Sequence, residues 1–323
     1  MSLAQPPAAD SLAAPVQVGT RASPLALVQT RAFIALITAH AAASGTIFAE
    51  QHIRTTGDAV QNRKLAEIGG KGLFAKEIHE AMLDGRIDLA VHSLKDLETA
   101  LPPGIVLGAT LKREDPRDAL ILGVTPAYDP ADPFACLAKA ALIGTSSVRR
   151  QAQLLHRRPD LRIGLLRGNV QTRLSRIAAG DVAATFLALA GLKRLGLAQH
   201  ASIVLDTDAM LPSACQGIVG VTVRDSDTAL RALLAGIDDP AARAAATAER
   251  ALLGFLDGSC RTPIGGHARL LPDGTLHLAG LTAREDGSFL LRRDLTGAAA
   301  DAERLGRALG ASLRADSPAD LFV

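Results

Sequence analysis

"AALIGTSSVRRQAQLLHRRPDLRIGLLRGNVQTRLSRIAAGDVAATFLALAGLKRLG", residues 140–196, alternates short β-prone runs with stretches of helical period, and that alternation decides the fold class. "AALIG" reads as a strand. Ser146 and Ser147 follow where a helix needs a cap, ahead of a stripe made by Val148, Ala152 and Leu155. "LRIGLL" is the next strand. A second helix carries Val170, Leu174 and Ile177 and stops near Gly180, "VAATFLAL" is a third strand, and "AGLKRLG" is a short helix. Strand and helix alternating at this spacing predict an α/β unit on a parallel sheet with helices on both faces. Ligands of such sheets sit beyond the carboxyl ends of the strands.

The same stretch is rich in arginine: Arg149, Arg150, Arg157, Arg158, Arg162, Arg167, Arg173 and Arg176 accompany a lone Asp160 between residues 144 and 176. The whole chain carries only +2, from 35 basic and 33 acidic residues, so the run is local and gives no field that gathers polyanions. Aromatic residues are 3%, with no Trp and one Tyr, which removes the stacking platforms that single-strand nucleic-acid binding uses. Arg149, Arg150, Arg167 and Arg173 fall near amino-terminal ends of predicted helices, where backbone N–H groups and the helix dipole favour anions. Any one of them is equally a solvated basic side chain. As a group at one end of a sheet they would repel one another, and a ligand with several carboxylates or phosphates relieves that. Arg157 and Arg158 lie at the far end of a helix and, with Arg162, read as surface charge.

The grammar repeats upstream. "VQVG" from Val16 is a strand, Ser23 can cap, and Pro24 suits the first turn of a helix reaching about His40. "TIFAEQHIRTTGD" is a strand, Leu73 to Asp84 a helix closed near Gly85, and "RIDLAVHS" a buried strand running into Lys95 and Asp96. Leu107–Ala109 and Ala119–Leu122 are further strands flanking "KREDPRD", a crossing between domains. From Pro240 the texture changes to a helix over Ala241–Leu256, the segment "GSCRTPIGG", strands parted at Asp273-Gly274 and Asp286-Gly287, and a last helix over Ala298–Leu313. This is a small α+β domain. With 323 residues and 48% hydrophobic content the chain can fill two or three cores.

Cys136, Cys215 and Cys260 are an odd number at wide spacing, which fits a reducing, cytoplasmic compartment. "MSLAQPPAADSLAAP" reads as a disordered tail, and no stretch offers the roughly 18 uninterrupted apolar residues of a membrane span. Histidines show no HExxH-type spacing, so no metal site is expected. "VHSLKD" places Asp96 where it could be an acid, a base or a stabiliser of positive charge, or simply cap the next turn with Lys95 as its ion partner. Cys260, beside Arg261 and just past a helix end, taken alone is an inert residue as readily as a reactive one. "IGGKGLFAKE" is glycine-rich but fits neither GxGxxG nor the P-loop, and reads as a mobile loop.

Together "GTRASPLALVQT", "GGKGLFAKE", "AVHSLKD", "KREDPRDA", "IGTSSVRRQ", "LRGNVQTRL", "LALAGLKRLG", "CQGIVG" and "GSCRTPIGG", in this order from Gly19 to Gly266, resemble the porphobilinogen deaminase (hydroxymethylbilane synthase) family. The resemblance implies two periplasmic-binding-protein-like doubly wound domains, 16–111 with 218–236 and 117–211, joined by two crossings, and a third domain over 240–323 after a tail of residues 1–15. It implies a dipyrromethane cofactor covalently attached through a thioether to Cys260. The substrate is then porphobilinogen, each ring bearing an acetate and a propionate. Four units are deaminated, joined head to tail and released as hydroxymethylbilane, a step of tetrapyrrole and haem biosynthesis.

Carried onto this chain, the resemblance makes Asp96 the catalytic carboxylate and gives Lys95, Ser146, Arg149 and Arg150 to the cofactor. Arg21, Ser23, Ser147, Arg167, Arg173, Arg194 and Gln216 go to the substrate, and Lys71 and Phe74 to an active-site lid. A monomer is expected. Leu97 and Glu98 stand where the family commonly has Val-Pro, Ser259 replaces a frequent Gly, and Cys215 and Glu67 occupy positions more often glycine and lysine. The competing class is a non-catalytic anion-binding protein of periplasmic type, against which Cys260 in a third domain counts. A ligand-sensing regulator would need a DNA-reading helix-turn-helix, and none is legible.

Overall fold

The computed structural model describes residues 14–42, 45–59, 72–123, 129–257 and 262–322. Strands β1 (Val16–Thr20), β2 (Phe48–His52), β3 (Leu89–Ser93) and β4 (Ile105–Thr110) form the first sheet with a late-returning β10 (Val219–Arg224), in the order β2-β1-β3-β10-β4. The second sheet holds β5 (Asp118–Leu122), β6 (Leu142–Gly144), β7 (Arg162–Gly164), β8 (Ala184–Ala188) and β9 (Ile203–Val204), in the order β7-β6-β8-β5-β9. The two orders are the same arrangement used twice. In each sheet four strands run in one direction, as the alternation predicts, but β10 runs antiparallel to β3 and β4, and β5 antiparallel to β8 and β9. The exceptions are the two strands that arrive directly from the other sheet. Entering from the cleft side, they can only run backwards.

Helices cover both faces of both sheets. In the first unit α1 (Pro24–His40) starts with Pro24 behind the Ser23 cap, α2 (Thr56–Ala59) is a single turn, and α3 (Lys76–Leu83) ends before Gly85, whose φ of +73° suits glycine. The helix is shorter than the sequence pattern predicts because residues 72–75 form a separate turn. Phe33, Ile37 and Val221 are packed on one face, Ile78, Met82 and Ile87 on the other. In the second unit α4 (Val148–Arg157) is capped by Ser147, α5 (Val170–Ala178) by Asn169, and α6 (Leu189–Arg194) follows β8. Phe134, Leu154 and Phe186 fill one face, Ile121, Ile177 and Leu192 the other. Helix α7 (Thr228–Ala235) completes the first unit.

The last unit is an antiparallel sheet of β11 (Ile264–Leu270), β12 (Thr275–Ala283) and β13 (Leu290–Ala298), backed by α8 (Pro240–Phe255) and α9 (Ala302–Asp316). Its turns fall at Gly274 and Gly287, both at positive φ, as the Asp-Gly dipeptides require. At Gly306 a Cβ would lie 2.2 Å from the Ala248 carbonyl oxygen, so only glycine lets α9 approach α8 this closely.

One buried carboxylate ties this unit to both crossings. Glu249 on α8 has no solvent exposure; it receives Arg113 Nη1 at 2.5 Å and Nη2 at 3.2 Å, the Ala268 N–H at 2.6 Å and the N–H of Cys215. Arg113 lies on the outgoing crossing and Cys215 on the return. Cys215 has φ +61°, which accounts for glycine being common there, and burial pushes its thiol up to about 12. Arg158 corrects a surface-charge expectation: its guanidinium donates to the Phe134 and Leu137 carbonyls at 2.6 and 3.0 Å and pairs with Asp160, so it braces the loop beneath the second sheet. Glu249→Gln strands Arg113 in the interior and should cost about 3 kcal/mol of stability. Urea unfolding of the variant checks this, and a loss below about 1 kcal/mol would show that Glu249 is not the tie.

Candidate active site

The cleft is lined by turns that follow strands. β1 ends at Thr20 and delivers Arg21 and Ser23; β3 ends at Ser93 and turns through the single 3₁₀ turn Leu94–Asp96. Arg21, Ser23, Phe74, Ser93 and Asp96 line one recess, over a floor that includes His92 and Gln29. The Arg21 guanidinium lies 4.1 Å from the Phe74 ring centroid, and Ser93 Oγ donates to Gln29 Oε1 at 3.0 Å. Ser23 is committed to its helix, accepting from the Ala26 N–H at 3.4 Å.

Across the cleft, β6 ends at Gly144 and Ser147 caps α4, which brings Arg149 and Arg150 to the start of that helix. Both turn inward. Arg149 Nη2 and Arg150 Nη2 each lie 2.8 Å from an oxygen of Asp118, and their other Nη atoms donate to the Leu211 and Phe186 carbonyls at 2.7 and 2.8 Å. Gln216 Nε2 donates to Asp118 Oδ1 at 2.8 Å, and Gln216 Oε1 accepts from Lys95 Nζ at 3.1 Å. A continuous polar chain therefore runs from Lys95 on the first sheet to both arginines on the second. Burial opposes the Asp118 charge, but Arg149 and Arg150 override it and hold the carboxyl well below its usual range.

Asp118 belongs to none of the candidate site residues named from the sequence. A signal was present, since an acid heading the apolar strand "DALIL" demands a cationic partner in the fold. The partners, 31 and 32 residues away, could not be read from spacing.

The remaining cations are partly withdrawn from water. Burial, then Arg150 and Arg167, lowers Arg173 to about 10; burial lowers Arg167 and Arg194. Water reaches Lys95 from the cleft, yet it is packed as densely as interior groups, and burial lowers it to about 8, with Asp96 opposing the shift and Arg150 adding to it. Arg194 Nη2 donates to the Gly217 carbonyl at 2.7 Å, and Arg173 Nε to that of Gly168 at 3.1 Å. Arg150 Nε is buried without a hydrogen-bond partner among the described residues. Buried cations and an orphaned guanidinium N–H leave hydrogen-bonding capacity that an anionic group can use. Ser146 sits between β6 and α4, half-buried at the cleft. Cys260, Lys71, Glu67 and Ser259 lie outside the described residues. Among those described, no three His, Cys, Asp or Glu side chains are placed to hold a metal, and no helix is long and apolar enough to cross a membrane.

Two family models match the chain: "Porphobilinogen deaminase, dipyromethane cofactor binding domain" over residues 16–232 and "Porphobilinogen deaminase, C-terminal domain" over residues 243–315. A porphobilinogen deaminase of Paracoccus denitrificans is 46% identical over 309 residues, covering 95% of this chain and 96% of that protein. One from a Caulobacter species is 46% identical over 96% of this chain and 98% of its own length, and the chloroplastic one of Oryza sativa 44% identical over 87% and 78%. Among solved structures, an ancestral arginine-binding protein aligns at 14% identity and TM-score 0.39 over 70% of this chain and 92% of its own. A periplasmic sulfonate-binding protein of Methylobacillus flagellatus aligns at 15% and 0.39 over 73% and 66%. Matched over nearly its whole length by both domain models and by relatives near half identity, the chain belongs to the porphobilinogen deaminase family.

Proposed function

We propose that this enzyme deaminates porphobilinogen and joins four units head to tail into hydroxymethylbilane, with Asp96 as the catalytic carboxylate and Cys260 as the thioether anchor of dipyrromethane. The observation that carries the reading is the position of Asp96. It lies in a recess walled by Arg21 and Phe74, and its charge reaches Lys95 beside it and Arg173 of the second unit. A non-catalytic anion-binding role would leave a carboxylate standing among anion-binding cations without a task.

Loss of ammonia from porphobilinogen leaves a methylene-pyrroleninium cation. The Asp96 carboxylate is placed to accept a hydrogen bond from the pyrrole N–H and to stabilise that charge where it forms. The same carboxylate is the base for the ring proton lost after coupling. Arg21 and Ser23 would orient the acetate and propionate of the incoming ring beside it. Lys95, Arg150 and Ser146 would hold the carboxylates of dipyrromethane, which when bound supplies the pyrrole carbon that accepts the first unit. Each added unit brings two more carboxylates, and Arg167, Arg173 and Arg194, with Ser147, Gln216 and the inward-turned Arg149 behind them, give those charges a partner. Lys71 and Phe74 would close the recess. We infer that residues 16–111 with 218–236, 117–211 and 240–323 act as three bodies, and that a monomer works in the cytoplasm: one chain supplies every group named, and Cys136 and Cys215 are free thiols.

Asp96→Asn keeps shape and removes charge. It should fold normally and form bilane at least about a hundredfold more slowly, the loss typical of a general base or one charge-stabilising group. Rapid-quench assay of porphobilinogen consumption tests this, and turnover within about threefold of wild type would remove Asp96 from the chemistry. Lys95 supplies a pH test. Its free-state titration near 8 must rise when anionic carboxylates bind, so binding takes up a proton above that pH. Affinity for an unreactive benzene polycarboxylate should fall up to about tenfold per pH unit between about pH 8 and 10 in calorimetric titration. The Lys95→Met variant should lose that slope; a slope that survives in it belongs to another group.

A further inference from the structure

We propose that Glu98 and His79 form a buried positioning pair that fixes the Asp96 turn against the segment bearing Phe74, so that the two walls of the catalytic recess hold one spacing. The proposal rests on the role given to Asp96 above.

Glu98 follows Asp96 by two residues, and its side chain is 11% exposed; Oε1 lies 3.2 Å from Nδ1 of His79 on α3, which is 3% exposed. The same carboxylate abuts Gly72, where a Cβ would come within 3.0 Å of Oε1. The Gly72 carbonyl accepts the Ala75 and Lys76 N–H groups at 2.9 Å each, so the turn holding Phe74 is continuous with the helix holding His79. Glu98 thus touches the Phe74 segment at both of its ends. Its own segment is held independently: Arg250 of α8 donates to the Glu98 and Thr99 carbonyls at 2.7 and 3.0 Å, and Leu97 is buried in the core of the third unit.

Around the pair stand His92, Arg21 and Arg250. His92 Nε2 is 2.9 Å from Thr222 Oγ1, its ring lies 6.0 Å from that of His79, and burial, reinforced by His79, lowers it to about 3. His92 therefore stays neutral and leaves Glu98 to His79. Burial opposes the Glu98 charge, yet His79 holds the carboxyl below its ordinary range. A lone member of such a pair would be an uncompensated interior group, and the turn would move to hydrate it. Displacing a catalytic group by about 1 Å costs up to about a hundredfold in rate.

The test is steady-state kinetics of the cofactor-loaded Glu98→Gln, His79→Gln and doubly substituted enzymes, with thermal midpoints measured in parallel. Each single variant should lose about tenfold in kcat with KM within about twofold, and the double variant, which leaves neither member of the pair without its partner, should return to within about threefold of wild type. Singles that keep wild-type kcat, losses that simply add in the double variant, or a fall in thermal midpoint without a fall in kcat overturn the pair. If a single variant does not fold, Glu98→Asp replaces it, keeping the charge but withdrawing the carboxylate by one methylene; unchanged kcat there is equally contrary. Wild-type enzyme that makes no bilane would instead sink the functional reading and leave the pair unaddressed by fault of the substrate, in which case hydrogen exchange at Phe74 and Asp96 in the same variants decides: faster exchange in both singles with recovery in the double supports the pair, and unchanged exchange overturns it.

Discussion

Three donors converge on the two oxygens of Asp118: Arg149, Arg150 and Gln216, each at 2.8 Å. Arginines packed side by side at a helix start would drive the turn open, because two buried like charges repel strongly in a low-dielectric setting. Asp118 cancels that repulsion while leaving Arg150 Nε unsatisfied among the described residues. It also begins the strand that arrives from the first sheet, so the residue that balances the arginines sits where the crossing enters the second. Through Gln216 on the return crossing and Lys95 beyond it, the geometry of one sheet's cleft wall is coupled to the other's.

The third unit acts on this arrangement through backbone. Glu249 gathers both crossings, and Arg250, the next residue of α8, holds the carbonyls just beyond Asp96. Adjacent residues on one helix thus fix the path of the chain between the sheets and the turn that bears the proposed catalytic carboxylate. The sequence between that helix and β11 contains Cys260, the proposed anchor.

Much of this was legible in the sequence. The Ser23-Pro24 start of α1, the α4 cap, which falls on Ser147 of the two serines offered, and the Asp-Gly turns of the last sheet follow from local chemistry, and the structure shows them. Strand direction at β5 and β10 was not legible, because it follows from how the chain crosses the cleft and not from side-chain period. The arginine run promised a group facing an anion. Arg149 instead spends two N–H groups on Asp118 and a carbonyl, and Arg158 serves the loop beneath the second sheet. The partnership of Glu98 with His79 joins residues that no motif connects, and Cys215 gave no hint of its left-handed backbone beyond standing where glycine is usual.

The account turns on a cationic cleft serving a polypyrrole anchored to Cys260. Intact mass of the denatured wild-type and Cys260→Ser proteins tests this most directly. The account predicts an added mass equal to one dipyrromethane on the wild type and none on the variant. A wild-type chain that stays unmodified after incubation with porphobilinogen, or a variant that carries the same added mass, would contradict it.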